Sequence, residues 1–305
     1  MSGFLIPKRL QIETIFGCNA KCIMCAVSLP ATRLKGIMSI ELFKHIIDFM
    51  KPYNEQIEKV DLFGLGEPLL DPHIIERIRY AKEKGFQNLA ISTNADLLDV
   101  HKQNALLETG IETVIFSIDG VNKETHENIR RGVVFERVIE NCESIIRMRN
   151  EHNYKTRFVI RFIRQNSNKT EWEQFLAYWN PKISPGRNDL LIAYDVNTMG
   201  GEVISKQELL GDGPLDESIE ALPCHQVFDR LIILNNGIVP LCCEDTPHAK
   251  YMMGDVKETL PIDIFNGTNF QRMRRLHTDH KKTTLTICRE CTLLYSENKM
   301  QRYTA

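Results

Sequence analysis

Three cysteines stand within eight residues near the start of the chain, in the run Cys18-Asn-Ala-Lys-Cys22-Ile-Met-Cys25. Soft thiolate donors at this spacing suit an iron–sulfur cluster or zinc. A 4Fe–4S cube usually takes four cysteines, so a triad leaves one iron open, and an open iron can chelate an exogenous amine and carboxylate. The alternative is a zinc knuckle completed by a remote His or Cys.

A second group of cysteines falls in the last third. Cys224 and Cys242 are 18 positions apart, Cys242 and Cys288 are 46 apart, and Cys288-Arg-Glu-Cys291 is a two-residue clip. Cys224, Cys242, Cys288 and Cys291, drawn from three separate segments, make a complete all-thiolate site, for a cluster or for a structural zinc ribbon. Cys243 is surplus to it. It is a small buried residue, or the true ligand in place of Cys242, or a hydrogen-atom donor whose weak S–H bond quenches a carbon radical. Beside it, Glu244 and Asp245 are candidates for a general base, against the plainer reading of solvated carboxylates in a turn. Cys142 lies at a core position of a helical pattern and needs no function.

Composition supports metal ligation. Met1–Arg9 is too short for a signal peptide, and no apolar run is long enough to cross a bilayer, so the chain reads as soluble and cytoplasmic. Nine cysteines in reducing cytosol are then metal ligands before they are disulfides. The 38 basic and 40 acidic residues nearly cancel, which argues against a nucleic-acid partner or an anionic membrane surface.

Something must hold these residues in place, and the first two thirds of the chain has the rhythm of repeated βα units around a parallel sheet. Six strands are expected at Leu10–Phe16, Lys59–Gly64, Asn88–Ser92, Thr113–Ile118, Arg157–Arg164 and Leu190–Asp195, each apolar enough to be buried on both faces. Ser39 can cap a helix through Lys51 with Pro52 stopping it, and Pro72 suits the first turn of a helix to Lys84, ended by Gly85. Further helices are expected at Leu97–Glu108, Phe135–His152 and Lys169–Trp179. A loop-rich stretch from Pro181 to Leu222, with Gly200-Gly201 and Gly211-Asp-Gly-Pro214, surrounds the sixth strand and marks a boundary. Beyond it, Asn235-Asn236-Gly237 between Asp229–Leu234 and Ile238–Cys242 predicts a β-hairpin, and a helix is expected over Pro261–His277. The first cysteine group thus falls in the loop after the first strand, where a βα barrel keeps its chemistry.

With these motifs in order, the chain resembles the radical S-adenosylmethionine (SAM) superfamily, whose signature is Cys-x3-Cys-x2-Cys after the first strand of a partial six-stranded (β/α) barrel. Gly64-Leu-Gly66-Glu67-Pro68 is similar to the family's Gly-Gly-Glu-Pro element, with Leu65 where the first glycine is usual. That element meets the SAM amino group in the family, and closely spaced glycines let a main chain approach a ligand. Ser92 and Asn94 after the third strand, and Ser117 and Asp119 after the fourth, occupy positions that bind the ribose and methionine parts of SAM in relatives. Arg161 is a cation inside an apolar strand, costly unless paired. The resemblance pairs it with the SAM carboxylate or the substrate; a partner on a neighbouring strand is the alternative. Met24 stands where the family commonly has an aromatic residue near the adenine, and a polarisable thioether can fill that role.

The second group, from Pro223-Cys224 through Gly254-Asp-Val256 to Cys288-x2-Cys291, is similar to the twitch subdomain, a shortened form of the SPASM extension that carries one auxiliary 4Fe–4S cluster. The resemblance therefore implies a partial (β/α)6 barrel over residues 1–222 and an iron–sulfur subdomain over 223–305, with two 4Fe–4S clusters and SAM as cofactors. It implies one-electron cleavage of SAM to a 5′-deoxyadenosyl radical that takes a hydrogen atom from a small substrate, and an electron donor such as flavodoxin or ferredoxin. If the substrate radical gives its electron to the auxiliary cluster, the outcome is two-electron oxidation; if Cys243 returns a hydrogen from the opposite face, it is epimerisation. Members of similar length and cysteine layout act on aminocyclitols and aminoglycosides, which suggests a small polyhydroxylated substrate. Peptide-modifying members usually add a docking domain, and only nine residues precede the expected first strand. A non-catalytic iron–sulfur or zinc sensor would explain the cysteines alone, but not Glu67-Pro68 and the polar strand tips.

Overall fold

Short β-branched runs dominate the sheet because it is covered on both faces, and the six expected strands lie side by side in chain order. They are β1 (Arg9–Ile12), β2 (Lys59–Asp61), β3 (Leu89–Thr93), β4 (Thr113–Ser117), β5 (Arg157–Arg164) and β6 (Leu190–Asp195) in a computed structural model that describes residues 3–30, 32–205, 209 and 217–303. Two more strands complete the sheet, β7 (Arg230–Ile233) and β8 (Gln301–Tyr303), giving the order β7-β1-β2-β3-β4-β5-β6-β8. All neighbours are parallel except β8, which runs antiparallel to β6. This is the α/β architecture of a partial barrel, with β7 and β8 as its two edges.

The connecting helices are α1 (Ile40–Met50), α2 (Ile74–Glu83), α3 (Val100–Glu108), α4 (Lys123–Ile129), α5 (Phe135–Glu151) and α6 (Trp172–Trp179). Ser39 caps α1 by accepting from Leu42 N–H at 3.1 Å, and Phe43, Ile46, Ile47 and Met50, at helical spacing, are buried. Asp99 caps α3 in the same way through Lys102 N–H. Two fully buried ion pairs anchor helices to the barrel: Arg77 with Asp71 at 2.8 Å and Arg149 with Asp189 at 2.6 Å.

The second strand ends at Asp61, short of Gly64, and Pro72 lies before α2, which begins at Ile74. Three further expectations need larger correction. The first strand does not run to Phe16: it stops at Ile12, and Ile15–Phe16 pair instead with Gly36–Ile37, with the buried Glu13 between the two. The hairpin of Asp229–Leu234 with Ile238–Cys242 does not form as a ladder. Its turn exists, with Gly237 N–H donating to Leu234 O at 2.9 Å, but β7 pairs with β1 while Ile238–Val239 pair with Gly254–Asp255. The helix over Pro261–His277 is two, α7 (Pro261–Asn266) and α8 (Thr268–Thr278), divided at Gly267, whose ψ of 169° is extended. Two short helices follow, α9 (Thr286–Glu290) and α10 (Leu293–Asn298). The turn predicted at Gly211-Asp-Gly-Pro214 lies outside the described residues.

Candidate functional site

At the C-terminal ends of the barrel strands lies a solvent-open cleft of about 950 Å³. Its wall includes Cys18, Cys22 and Cys25 with Gly64, Gly66, Glu67, Ser92, Asn94, Ser117 and Arg161, so most of the residues picked out by sequence converge there. Met24 also faces the cleft. Pro68 and Asp119 stand behind it: Pro68 opens the short 3-10 turn Pro68–Leu70, and Asp119 is fully buried beneath Arg130.

Each strand tip does a distinct job. The Glu67 carboxylate accepts from Leu69 N–H (3.1 Å), Thr93 Oγ1 (2.7 Å) and Asn94 N–H (2.8 Å), which ties the loop after β2 to the tip of β3. Burial raises its pKa. The glycines serve packing as well as access. A Cβ on Gly66 would stand 2.3 Å from Ile15 O and one on Gly64 2.7 Å from the Glu13 side chain, so both permit the second loop to lie directly on the first. Glu13 is the centre of that contact. Fully buried, it pairs with Arg33 at 2.8 Å, accepts from Leu65 N–H at 3.0 Å and from Asn235 N–H at 3.3 Å.

Arg161 donates to Ser92 Oγ at 3.0 Å and to Ser117 Oγ, has no carboxylate within ion-pair distance among the described residues, and leaves its Nε without a partner. A guanidinium held by two hydroxyls at the floor of a cleft is charged and unsatisfied, and suits an incoming carboxylate.

Sequence reasoning missed Arg130. Arg130–Arg131 form a two-residue antiparallel ladder with Lys21–Cys22, which carries the Arg130 guanidinium to Cys22 Sγ at 3.7 Å while Asp119 pairs with it at 2.7 Å. Nothing in the local pattern marks this residue; the only signal was a carboxylate, Asp119, next to the motif. Burial raises the thiol pKa of Cys18 to about 12 and of Cys25 to about 11, so filling the site with a thiolate-bound cluster must release protons.

The second group of cysteines also converges. Cys224, Cys242, Cys288 and Cys291 line one small, largely apolar cavity together with Gln226, Glu244 and His277. Cys243 lies outside its lining: its Sγ faces Gln226 Oε1 at 3.6 Å and Glu244 Oε1 at 3.5 Å. Asp245 lines neither cleft. Its carboxylate holds the turn by accepting from Leu241 N–H (3.2 Å) and Tyr251 N–H (3.1 Å), and burial lifts its pKa to about 6. Glu244 is raised further by burial, to about 7. His277 was also missed; burial, with Lys282 nearby, lowers its pKa to about 4.

Among the described residues no three His, Cys, Asp or Glu side chains converge on a single ion. Thiolates at separate corners of a cube need no such convergence. Three cleft thiolates, an unsatisfied guanidinium and polar strand tips fit a cluster with a bound amino acid moiety, and four thiolates around one apolar cavity fit a second cluster.

One segment touches both sites. Met199 faces the first cleft, while a Cβ on Gly200 would meet Ile287 Cγ1 at 2.6 Å and Glu244 Cβ at 3.6 Å on the second side. Thr198 pins the segment by donating from N–H to Thr292 Oγ1 (3.1 Å) and from Oγ1 to Glu290 O (2.7 Å). Met199, Gly200 and Gly201 all have left-handed φ, of 48°, 65° and 87°.

The family model of the radical SAM superfamily matches residues 12–161, spanning the cysteine triad, the Gly-Leu-Gly-Glu-Pro loop and Arg161. The chain belongs to the radical SAM superfamily. Its last third matches an iron–sulfur cluster-binding domain, SPASM, over residues 224–292. A radical SAM domain carries a 4Fe–4S cluster and SAM, and a SPASM domain carries additional iron–sulfur cluster or clusters. Among relatives, the AdoMet-dependent heme synthase of Methanosarcina barkeri is 32% identical over 139 residues, 45% of this chain and 38% of its own length. The chain thus aligns with well under half of that relative. In fold, it resembles BtrN in complex with AdoMet and 2-DOIA, with TM-score 0.64 and 16% identity over 100% of this chain and 99% of that one. It also resembles Streptococcus suis SuiB bound to precursor peptide SuiA, with TM-score 0.64 and 16% identity over 95% of this chain and 71% of SuiB. No helix among the described residues is long and apolar enough to cross a membrane.

Proposed function

We propose that this radical SAM enzyme removes two electrons and two protons from a small polyhydroxylated substrate, a sugar, aminocyclitol or aminoglycoside, in the cleft beside Cys18, Cys22 and Cys25. The observation that carries the reading is the Thr198–Gly201 segment, whose Met199 lines the first cleft while Gly200 packs against Ile287 and Glu244 of the second cysteine cavity. When bound, the cluster and SAM supply a 5′-deoxyadenosyl radical that takes a hydrogen atom from the substrate. The chain's own residues do the rest: Arg161 and the tips of β3 and β4 orient SAM, Glu67 and Glu13 hold the loops that enclose it, and Met199 closes the side facing the second site. Cys224, Cys242, Cys288 and Cys291 would hold a single auxiliary 4Fe–4S cluster, which would supply an acceptor for the second electron. The full-length likeness to a protein solved with AdoMet and 2-DOIA supports a substrate of that size.

Oxidation is preferred to epimerisation because Cys243 would have to face the substrate to return a hydrogen, and its Sγ is directed at Gln226 and Glu244. A peptide substrate is the second reading, suggested by the likeness to peptide-bound SuiB. The test is anaerobic reconstitution with iron and sulfide, reduction, and incubation with SAM and a panel of aminocyclitols and sugars. We expect 5′-deoxyadenosine in step with a product lighter by two hydrogens, and Cys243→Ala to retain turnover. Failure to form 5′-deoxyadenosine above background with any of them, or deuterium at an inverted carbon in deuterated water, refutes the oxidation.

A further inference from the structure

His277 is buried in the wall of the second cysteine cavity, in the last turn of α8, and both of its ring nitrogens are engaged. Nδ1 accepts the backbone N–H of Cys224 at 3.1 Å. An Nδ1 that accepts carries no proton, so the proton of the neutral ring sits on Nε2. Nε2 lies 3.8 Å from Cys288 Sγ, within reach for an N–H to sulfur hydrogen bond. The imidazole therefore spans two of the four cysteines, receiving from the main chain of one and donating to the sulfur of another.

We propose that His277 is a positioning residue of the auxiliary cluster, whose Nε2–H donates to the Cys288 thiolate and raises the reduction potential of the cluster that thiolate holds. The proposal rests on the assignment of Cys224, Cys242, Cys288 and Cys291 to that cluster. A hydrogen bond to a ligand sulfur stabilises negative charge, and the reduced cluster carries more of it than the oxidised one, so the donor favours the reduced form. A higher potential suits a centre that must accept an electron from substrate. The apolar lining of the cavity works the other way, since removal from water disfavours added charge. The His277 N–H is a local counterweight at Cys288, as Leu293 N–H, donating to Cys291 Sγ at 3.4 Å, is at Cys291.

Two variants separate the two ends of the ring. In His277→Asn the amide oxygen can still accept from Cys224 N–H, but the shorter side chain no longer brings its own N–H to Cys288; in His277→Gln the longer side chain can still place an N–H at the sulfur. Redox titration of the reconstituted full-length protein, followed by electron paramagnetic resonance, reads the potential of each cluster. For His277→Asn we expect the auxiliary cluster's oxidised-to-reduced ratio at the wild-type midpoint to rise about tenfold, a shift of about −59 mV for one electron. His277→Gln should move less than half as far, and the SAM-site cluster should stay put in both. An unchanged auxiliary midpoint in His277→Asn, or equal shifts in the two variants, overturns the proposal. If neither variant keeps the second cluster, wild-type protein labelled with ¹⁵N-histidine decides: a ring-nitrogen coupling in the reduced auxiliary signal supports it, and none overturns it. Wild-type protein showing only one cluster would instead remove the four-thiolate assignment itself.

Discussion

Arg130 reaches Cys22 Sγ at 3.7 Å while Asp119 pairs with the same guanidinium at 2.7 Å, so a buried ion pair backs one thiolate of the SAM-site triad. Asp119 Oδ1 meanwhile accepts from Ile163 N–H at 2.7 Å, fixing the pair to β5. Removing one partner leaves the other charge buried alone. Arg130→Met should therefore cost about 3–5 kcal/mol of stability, and Asp119→Asn, which keeps an oxygen for Ile163, somewhat less. The double variant Arg130→Met/Asp119→Asn should lose less than the sum by at least about 1 kcal/mol. Denaturant unfolding of the four proteins checks this; strict additivity would mean the pair is not coupled.

Arg161 offers a second, more local test. Loss of a charge-assisted contact to a SAM carboxylate costs about 1.5–3 kcal/mol, or roughly 10–100-fold in Kd. Arg161→Met in reconstituted protein should weaken SAM binding by that factor with the cluster content unchanged, as measured by equilibrium dialysis against labelled SAM. Wild-type affinity would show that Arg161 answers only to Ser92 and Ser117.

Iron counting tests the cysteine assignments. Wild-type protein should hold about eight irons per chain, and Cys224→Ala or Cys288→Ala about four. Cys243→Ala should keep all of them. If Cys243→Ala instead loses half, Cys243 and not Cys242 is the ligand.

His126 sets a pH dependence. It is fully buried, accepts from Asp119 N–H through Nδ1 at 3.3 Å, and burial lowers its pKa from 6.5 to about 3. Between those values the unfolded chain binds a proton that the folded chain does not. Its contribution is therefore intact above about pH 6.5 and is lost as pH falls toward 3, at up to about 1.4 kcal/mol per pH unit. Unfolding free energies measured from about pH 7.5 down to about pH 5 should fall less steeply in His126→Gln than in wild type. Parallel curves would assign the acid sensitivity to other groups.

The parallel strands were readable because burial on both faces writes them as uninterrupted apolar runs; β5 and β6 begin and end where the pattern places them. Partner choice was less readable. Asn235-Asn236-Gly237 signals a turn correctly, with Gly237 at φ 92°, but a turn signal is silent about a competitor 220 residues away, and β1 takes the first arm. The same limit hid Arg130, whose two-residue ladder with Lys21–Cys22 has no periodicity to detect. Spacing alone drew the eye to Gly64 and Gly66, yet could not tell that Glu13 and Ile15 O would occupy the room they leave.

That Glu13 contact orders events in the life of the chain. Its three partners are Arg33, Leu65 and also Asn235, and β1 needs β7 along its free edge. The cysteine triad is made about two hundred residues before the groups that complete its surroundings, Asn235 and β7. Until then the first strand presents an unpaired edge and Glu13 lacks the donor from Asn235. The surroundings of the cysteine triad are therefore complete only when Asn235 and β7 are in place, so the first and last thirds of the chain close around it together.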